Sequence, residues 1–350
     1  MIPTPATGLS YPLGDRAPEP GETIEIAPGL HWWRISVPGP LKHVNGWLLD
    51  DGDTIVAVDT GIAGRKATAA WEAMLAGPFA GRHVARVICT HFHPDHSGLA
   101  GWLCRRFDAP LLMTRAESLM LRLLAADARD AVPDEAIAYW RACGWDEAQI
   151  AAESAAGWGR FARFVTPPPL GYHRLVEGDR LAIGAREWRI VTGNGHSPDH
   201  ACLLDEAGGI LIAGDQVLPR ISSNVSLGVI EPEGDPLGDW LSSIAKLRRL
   251  PADLLVLPGH GEPFHGLHPR LDALAAEHRE RLDALALWLG QAPRRAVDCF
   301  AALFRRPVGD DVLSLATGEA LAHLRRLERE GRAVRTVHTG RDDVWWWTAT

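Results

Sequence analysis

Short apolar runs closed by turn-forming residues dominate the first part of the chain. Strand-like pieces occupy 24–26, 31–37, 45–49 and 54–58, and Pro38-Gly39-Pro40 and Asp50-Asp51-Gly52-Asp53 separate them as turns. The short apolar run 84–89 predicts a buried strand. Helix-like stretches begin near Gly64 and Gly98, and this alternation predicts a layered α/β domain. Residues 115–165 differ: Leu119, Met120, Leu123 and Leu124 recur at helical spacing, Pro133-Asp134-Glu135 is a helix start, and 146–164 predicts another helix. The stretch carries no metal-type ligand and stops at Pro167-Pro168-Pro169, so about 115–168 is expected to be a helical insertion between two strands. Strands resume at 181–183, 188–191, 201–204, 210–212 and 254–257. After Gly266 the pattern predicts helices at 269–289, 294–304 and 313–330. A hairpin follows, with strands at 334–338 and 344–348 around Thr339-Gly340-Arg341-Asp342-Asp343, and Trp345-Trp346-Trp347 is expected to be a packed final strand. The expected organisation is an extended arm over 1–22, a main α/β domain over 23–265 and a small winged-helix-like domain over 266–350.

Composition narrows this picture modestly. With 350 residues, 46% of them hydrophobic and 23% charged, the chain has the make-up of a folded protein of one large or two ordinary domains. A net charge of -8 argues against nucleic acid as a partner, and in the tail arginines and acidic residues nearly balance. The five cysteines form no C-x-x-C pair, which fits a reducing, cytoplasmic setting without a disulfide framework. The Pro- and Gly-rich start is not a secretory signal, and no run approaches the ~18 apolar residues of a membrane helix.

The chemistry concentrates beyond four predicted strands. Thr90-His91-Phe92-His93-Pro94-Asp95-His96 holds three imidazoles and a carboxylate; Gly195-His196-Ser197, Gly214-Asp215 and Gly259-His260-Gly261 follow in order. Imidazole and carboxylate suit zinc and similar divalent ions. Four such groups within six residues cannot all reach one ion without severe strain, so two adjacent ions are the easier geometry. Ligands on strand-end loops converge when those strands share one sheet edge.

The order T-H-x-H-x-D-H, then G-H-S, then G-D, then G-H resembles the metallo-β-lactamase-fold hydrolases, within their glyoxalase-II-like branch. Asp59, in Val58-Asp59-Thr60-Gly61, matches a further element, and the likeness spans roughly 24–265. The resemblance implies an αβ/βα sandwich of four layers and two divalent metal ions, zinc first, with iron or manganese suited to the same ligands. It implies that His91, His93 and His196 hold one ion, that Asp95, His96 and His260 hold the other, and that Asp215 bridges both and holds a hydroxide between them. Asp95 is the candidate proton donor to the leaving group. Asp59 and His200 are expected to orient the ligands. Arg220, Tyr172 and His173 are candidates to meet a small-molecule substrate. Asp215 argues against β-lactam hydrolysis, because β-lactamases of the fold generally lack that carboxylate. The resemblance implies a hydrolase of an acyl thioester, of the coenzyme A or glutathione type, or a related ester. A phosphodiesterase or endoribonuclease and a lactonase are the alternatives, and a non-catalytic partner-binding protein is a third class. The leucine and methionine stripe of the insertion is a candidate wall for an acyl pocket. The tail is expected to support a homodimer or pocket closure.

Overall fold

The computed structural model describes residues 7–39, 41–338 and 343–350. Residues 1–6 of the expected arm, Pro40 of the first expected turn and residues 339–342 of the hairpin turn lie outside them.

Seven strands form the first sheet in chain order: β1 (Ile24–Ala27), β2 (Leu30–Ser36), β3 (His43–Asp51), β4 (Thr54–Val58), β5 (His83–Ile88), β6 (Leu111–Thr114) and β7 (His173–Leu175). Hairpins make the first four antiparallel; from β4 onward the pairing is parallel. Parallel neighbours need crossovers, supplied by α1 (Arg65–Ala76), then α2 (Pro94–Ser97) and α3 (Ala100–Phe107), then the segment with α4 (Arg115–Ala126), α5 (Asp134–Ala142) and α6 (Glu147–Ala156). The second sheet contains β8 (Arg180–Ile183), β9 (Arg186–Gly193), β10 (His200–Asp205), β11 (Ile210–Gly214) and β12 (Leu255–Pro258), in the order β12-β11-β10-β9-β8. Helix α7 (Pro236–Leu247) joins β11 to its parallel partner β12. The chain ends with α8 (Leu267–Leu289), α9 (Phe300–Leu303), α10 (Leu313–Arg329) and the hairpin β13 (Ala333–His338) and β14 (Val344–Ala349).

Side-chain alternation builds the layers. Trp32, Trp47, Val56 and Val58 of the first sheet meet Trp188, Ile190, Leu203 and Ile212 of the second in the central core. Their neighbours Trp33, Leu48, Ile55 and Ala57 face outward onto α1 and α3. Val191, Cys202, Leu204 and Leu211 face the other way, onto α7 and α8. The expected four-layer α/β sandwich is therefore present. All five cysteines are free and buried.

Three local expectations need correction. The segment 146–164 is not one helix: α6 stops at Ala156, and a short 3-10 turn follows at Arg160–Phe164. Gly157 and Gly159 between them have positive φ, and a Cβ on Gly159 would lie 2.3 Å from the Asp127 carbonyl oxygen. The segment 294–304 is not one helix either, because Arg294 pairs with Trp347 of the final strand and only a 3-10 turn and the four residues of α9 follow. The stripe at Leu119, Met120, Leu123 and Leu124 is not the buried face of α4; Glu117, Ser118 and Leu121 are, and Leu119 and Leu123 remain 57% and 49% exposed. Strands β6 and β7 and helix α7, which the sequence pattern left unassigned, complete the sheets.

The insertion divides between two layers. Leu121 of α4 packs under the first sheet, whereas Trp140 of α5, Ile150 of α6 and Trp145 between them share a core with α7, α8, α10 and Trp347. Trp145 donates to Thr317 Oγ1 of α10 at 2.9 Å. The last 85 residues thus share their core with the second sheet. Leu321, fully buried in it, tests this: Leu321→Ala should cost about 2–5 kcal/mol. Urea unfolding followed by tryptophan fluorescence and by circular dichroism should still give one coincident transition. An early transition of the tail alone, with the rest unaffected, would contradict a shared core.

Candidate metal centre

Five loops leave the strands at one edge of the sandwich. Beyond β5, Thr90 and His91 are fully buried, and Pro94 opens the four-residue α2, which carries Asp95 and His96. The main-chain oxygen of His96 accepts hydrogen bonds from Thr60 N at 2.7 Å and Thr60 Oγ1 at 2.8 Å, so the loop after β4 fixes this turn. His196 lies in the β9–β10 loop, whose base is the Gly193–His200 pair. Asp215 and His260 follow the adjacent ends of β11 and β12, where Gly259 N donates to Gly214 O at 2.8 Å. Gly259 has to be glycine: a Cβ there would lie 2.2 Å from Asp215 Oδ1.

Three ring nitrogens meet on one side. His91 Nε2, His93 Nδ1 and His196 Nε2 are separated by 2.9, 3.0 and 3.3 Å. The far nitrogen of His91 faces Thr90 Oγ1 at 3.0 Å, and that of His196 faces the Asn224 carbonyl at 2.7 Å. Thr90 Oγ1 itself donates to Asp59, so His91 Nδ1 is the donor to it. Both rings therefore present a lone pair inward. Burial, reinforced by the neighbouring imidazoles, holds the His91 pKa well below its usual value and pushes His93 down to about 3; burial also lowers His196. Neutral rings with converging lone pairs fit a divalent cation, and nitrogens at 2.0–2.1 Å from a tetrahedral ion stand about 3.3 Å apart.

On the other side, Asp95 Oδ2 lies 3.3 Å from His260 Nε2 and 3.8 Å from His96 Nε2. Asp215 lies between the two sides: Oδ2 is 3.5 Å from His196 Nε2 and 3.4 Å from His260 Nε2, and Oδ1 is 3.3 Å from His96 Nε2. His96 Nε2, His260 Nε2 and Asp215 Oδ1 are buried and make no hydrogen bond. Buried polar atoms are rarely left so, and these three point at one another. The far nitrogens of His96 and His260 are held by Asp59 Oδ2 at 2.8 Å and the His43 carbonyl at 2.6 Å. Burial works against charge on His96 and His260, yet Asp215 and the neighbouring carboxylates more than offset it, raising His96 well above normal and His260 to about 10. Without a cation, protons on these rings balance the carboxylates; a bound cation would displace them. The convergent donor sets are His91/His93/His196, His91/His96/Asp215 and Asp95/His96/His260.

Residues 39–260 match the metallo-β-lactamase superfamily, and residues 282–350 match the metallo-β-lactamase-like C-terminal domain. The chain belongs to the metallo-β-lactamase superfamily. It is similar to a β-lactamase domain protein from Burkholderia ambifaria, with 38% identity, 98% of each chain covered and a TM-score of 0.88. It is also similar to a metallo-β-lactamase family protein from Thermus thermophilus, with 28% identity, 93% of this chain and 100% of that one covered and a TM-score of 0.78. An acyl-coenzyme A thioesterase of Gallus gallus is 27% identical over 253 residues, 68% of this chain and 80% of that protein. At this level the chain is a metal-dependent hydrolase of the superfamily fold.

Several supporting residues surround the superfamily motif. Asp59 has φ 61, a left-handed conformation that costs roughly 1–2 kcal/mol in a non-glycine residue. Its carboxylate accepts from Thr90 N at 2.8 Å, Thr90 Oγ1 at 3.0 Å and His96 Nδ1 at 2.8 Å. His200 Nε2 accepts the Asp215 backbone N–H at 3.1 Å, and its ring stacks on His91 at 4.9 Å; its lone pair is thus engaged outside the convergent sets. The three substrate candidates have other immediate partners. Tyr172 is half-buried against the core beneath the first sheet, and His173 is exposed on β7 opposite Leu112. Arg220 pairs with Glu262 at 2.9 Å and lies over the Tyr11 ring.

Motif reading passed over Glu117, Asn224, His43 and Asn45. Asn45 Nδ2 donates to the Pro258 and Gly261 carbonyls, each at 2.8 Å, and so sets the loop that carries His260. Glu117, in the first turn of α4, is fully buried. It accepts from Phe92 N at 2.9 Å and from Ser197 Oγ and Asp199 N, each at 2.7 Å. One carboxylate thus ties the loop of His91 and His93 to the loop of His196. Burial pushes its pKa up to about 7, against the pull of those hydrogen bonds.

Glu117→Gln leaves one oxygen to serve donors on both loops, and Asp59→Asn removes the anion beside His96. Each should weaken metal binding about 10- to 100-fold, measured by cobalt titration of the metal-free protein. Wild-type affinity in a correctly folded variant would remove that residue from the support of the centre.

Proposed function

We propose that the protein is a dinuclear metal-dependent hydrolase of acyl thioesters. The observation that carries the dinuclear reading is the placement of Asp215, whose Oδ2 lies at nearly equal distances from His196 on one side and His260 on the other. A carboxylate so placed suits a bridge between two ions, with His91, His93 and His196 holding the first and Asp95, His96 and His260 the second. Two divalent cations, zinc first and iron or manganese on the same ligands, would acidify a shared water and polarise a carbonyl oxygen.

The chain's own residues orient the reaction. The acceptors behind His91, His96, His196 and His260 keep each ring in the tautomer that presents Nε2. Asp95 differs from its expected role as proton donor. Burial raises its pKa, but His96 and His260 overcome this and hold it down to about 2. It is therefore an anion at neutral pH, suited to ligation. A leaving thiolate, whose conjugate acid has a pKa of about 8.5, departs without a donor far more readily than an alkoxide. This favours a thioester over an alkyl ester. The similarity to the acyl-coenzyme A thioesterase of Gallus gallus supports the same substrate class. For the phosphodiesterase alternative, free arginines beside the site would be the sign. Arg34 instead donates to Asn45 Oδ1 and the Gly261 carbonyl, and Arg220 is paired with Glu262.

Protein loaded with zinc, iron or manganese should hydrolyse acyl-coenzyme A or acyl-glutathione in preference to lactones and phosphodiesters; no turnover of either thioester panel would reject the reading. Asp215→Asn should lose metal on elemental analysis and reduce the rate by more than the roughly 100-fold that loss of an outer partner costs. A variant that kept two metals per chain and the full rate would refute the bridging role.

A further inference from the structure

Helix α8 has two apolar faces. Leu271, Leu274, Leu282 and Leu285 are buried in the shared core, whereas Ala273, Ala276 and Ala284 open onto a cavity of about 780 Å³. Leu315 and Ala316 of α10 and the segment 301–308 close its other sides. Leu315 on this lining is 56% exposed, although the residues around it on α10 are mostly buried. Of the charged residues on its lining, Arg281 donates to Glu277 at 2.6 Å and to Glu319 at 2.7 Å, whereas Glu280, Arg305 and Arg306 are exposed to solvent. A cavity of this size, lined by alanines, Leu303, Leu315, Val308 and Phe304 and with its exposed charges turned to solvent, suits an uncharged chain. One residue belongs to both the cavity and the metal centre. Asn224 lines the cavity, its Nδ2 donates to Glu319 at 3.4 Å, and its carbonyl accepts from His196 Nδ1 at 2.7 Å.

We infer that this cavity between α8 and α10 receives the acyl chain of the substrate, so that the enzyme prefers medium and long aliphatic acyl thioesters. The inference rests on the thioester reading above. Hydrolysis adds water across the carbonyl C–S bond: the acyl carbon takes the hydroxyl, the sulfur takes the proton, and the products are a fatty acid and a thiol. The exposed leucines of α4 are then not needed as the acyl wall.

The test compares kcat/KM for acetyl-, hexanoyl- and decanoyl-coenzyme A with the metal-loaded full chain, and titrates decanoate directly by calorimetry. Each methylene buried in the cavity should raise kcat/KM about fourfold, and decanoate should bind. Ala276→Phe narrows the cavity, and Ala284→Phe does so from an exposed position that the fold tolerates more readily. With metal content and melting temperature confirmed, both variants should lower the decanoyl-to-acetyl ratio at least about tenfold and weaken decanoate binding. Rates independent of chain length, or ratios unchanged in both variants, would overturn the assignment. If no thioester of any length is hydrolysed, the functional reading fails and the titration alone judges the cavity. Decanoate binding lost in Ala284→Phe would then support it, and binding that is absent or unaltered would reject it.

Discussion

Imidazoles that turn their lone pairs toward one another do not stay in place unless something behind each ring holds it. In this protein the holders are Thr90 Oγ1 for His91, Asp59 for His96, the Asn224 carbonyl for His196 and the His43 carbonyl for His260. Each fixes a tautomer, and together they leave Nε2 atoms and the Asp215 carboxylate facing a common centre. A donor set this crowded is unfavourable alone and favourable around cations. Much of the surrounding structure meets that requirement: the left-handed backbone at Asp59, the bare Cα of Gly259, and His200 bracing the Asp215 backbone.

The sandwich makes such holding possible. Strands β5, β9, β11 and β12 end at one edge, and two sheets with tryptophan-rich facing surfaces keep those ends still. Glu117 extends the support beyond the two sheets. It stands at the head of the inserted helices and joins two ligand loops, so the insertion is structurally part of the centre. The C-terminal helices contribute in a similar way. They share a core with α5, α6 and α7, and they line a cavity that also borders Asn224, whose carbonyl orients His196.

Much of this was legible in the residues. Alternation in the strands of both sheets reported the layers, because a strand buried on two faces, or on one, prints that burial directly in its side chains. The cluster from His91 to His96, with His196, Asp215 and His260 in order, marked the centre, because metal ligation admits few residue types. Other elements were harder. Strands β6 and β7 are short, and α7 interrupts a loop-like stretch. The breaks in 146–164 and 294–304 follow from contacts with Asp127 and Trp347, far away in sequence.

The sequence by itself determined the chemistry of the centre and the class of fold, since both depend on residue type and local period. It could not show that Glu117 joins two ligand loops, that Arg220 faces Glu262, or that Leu119 and Leu123 of α4 are exposed to solvent. Those facts are relations between segments brought together only by packing. A buried carboxylate and an exposed one have the same letter, and the close approach of the distant segments distinguishes them.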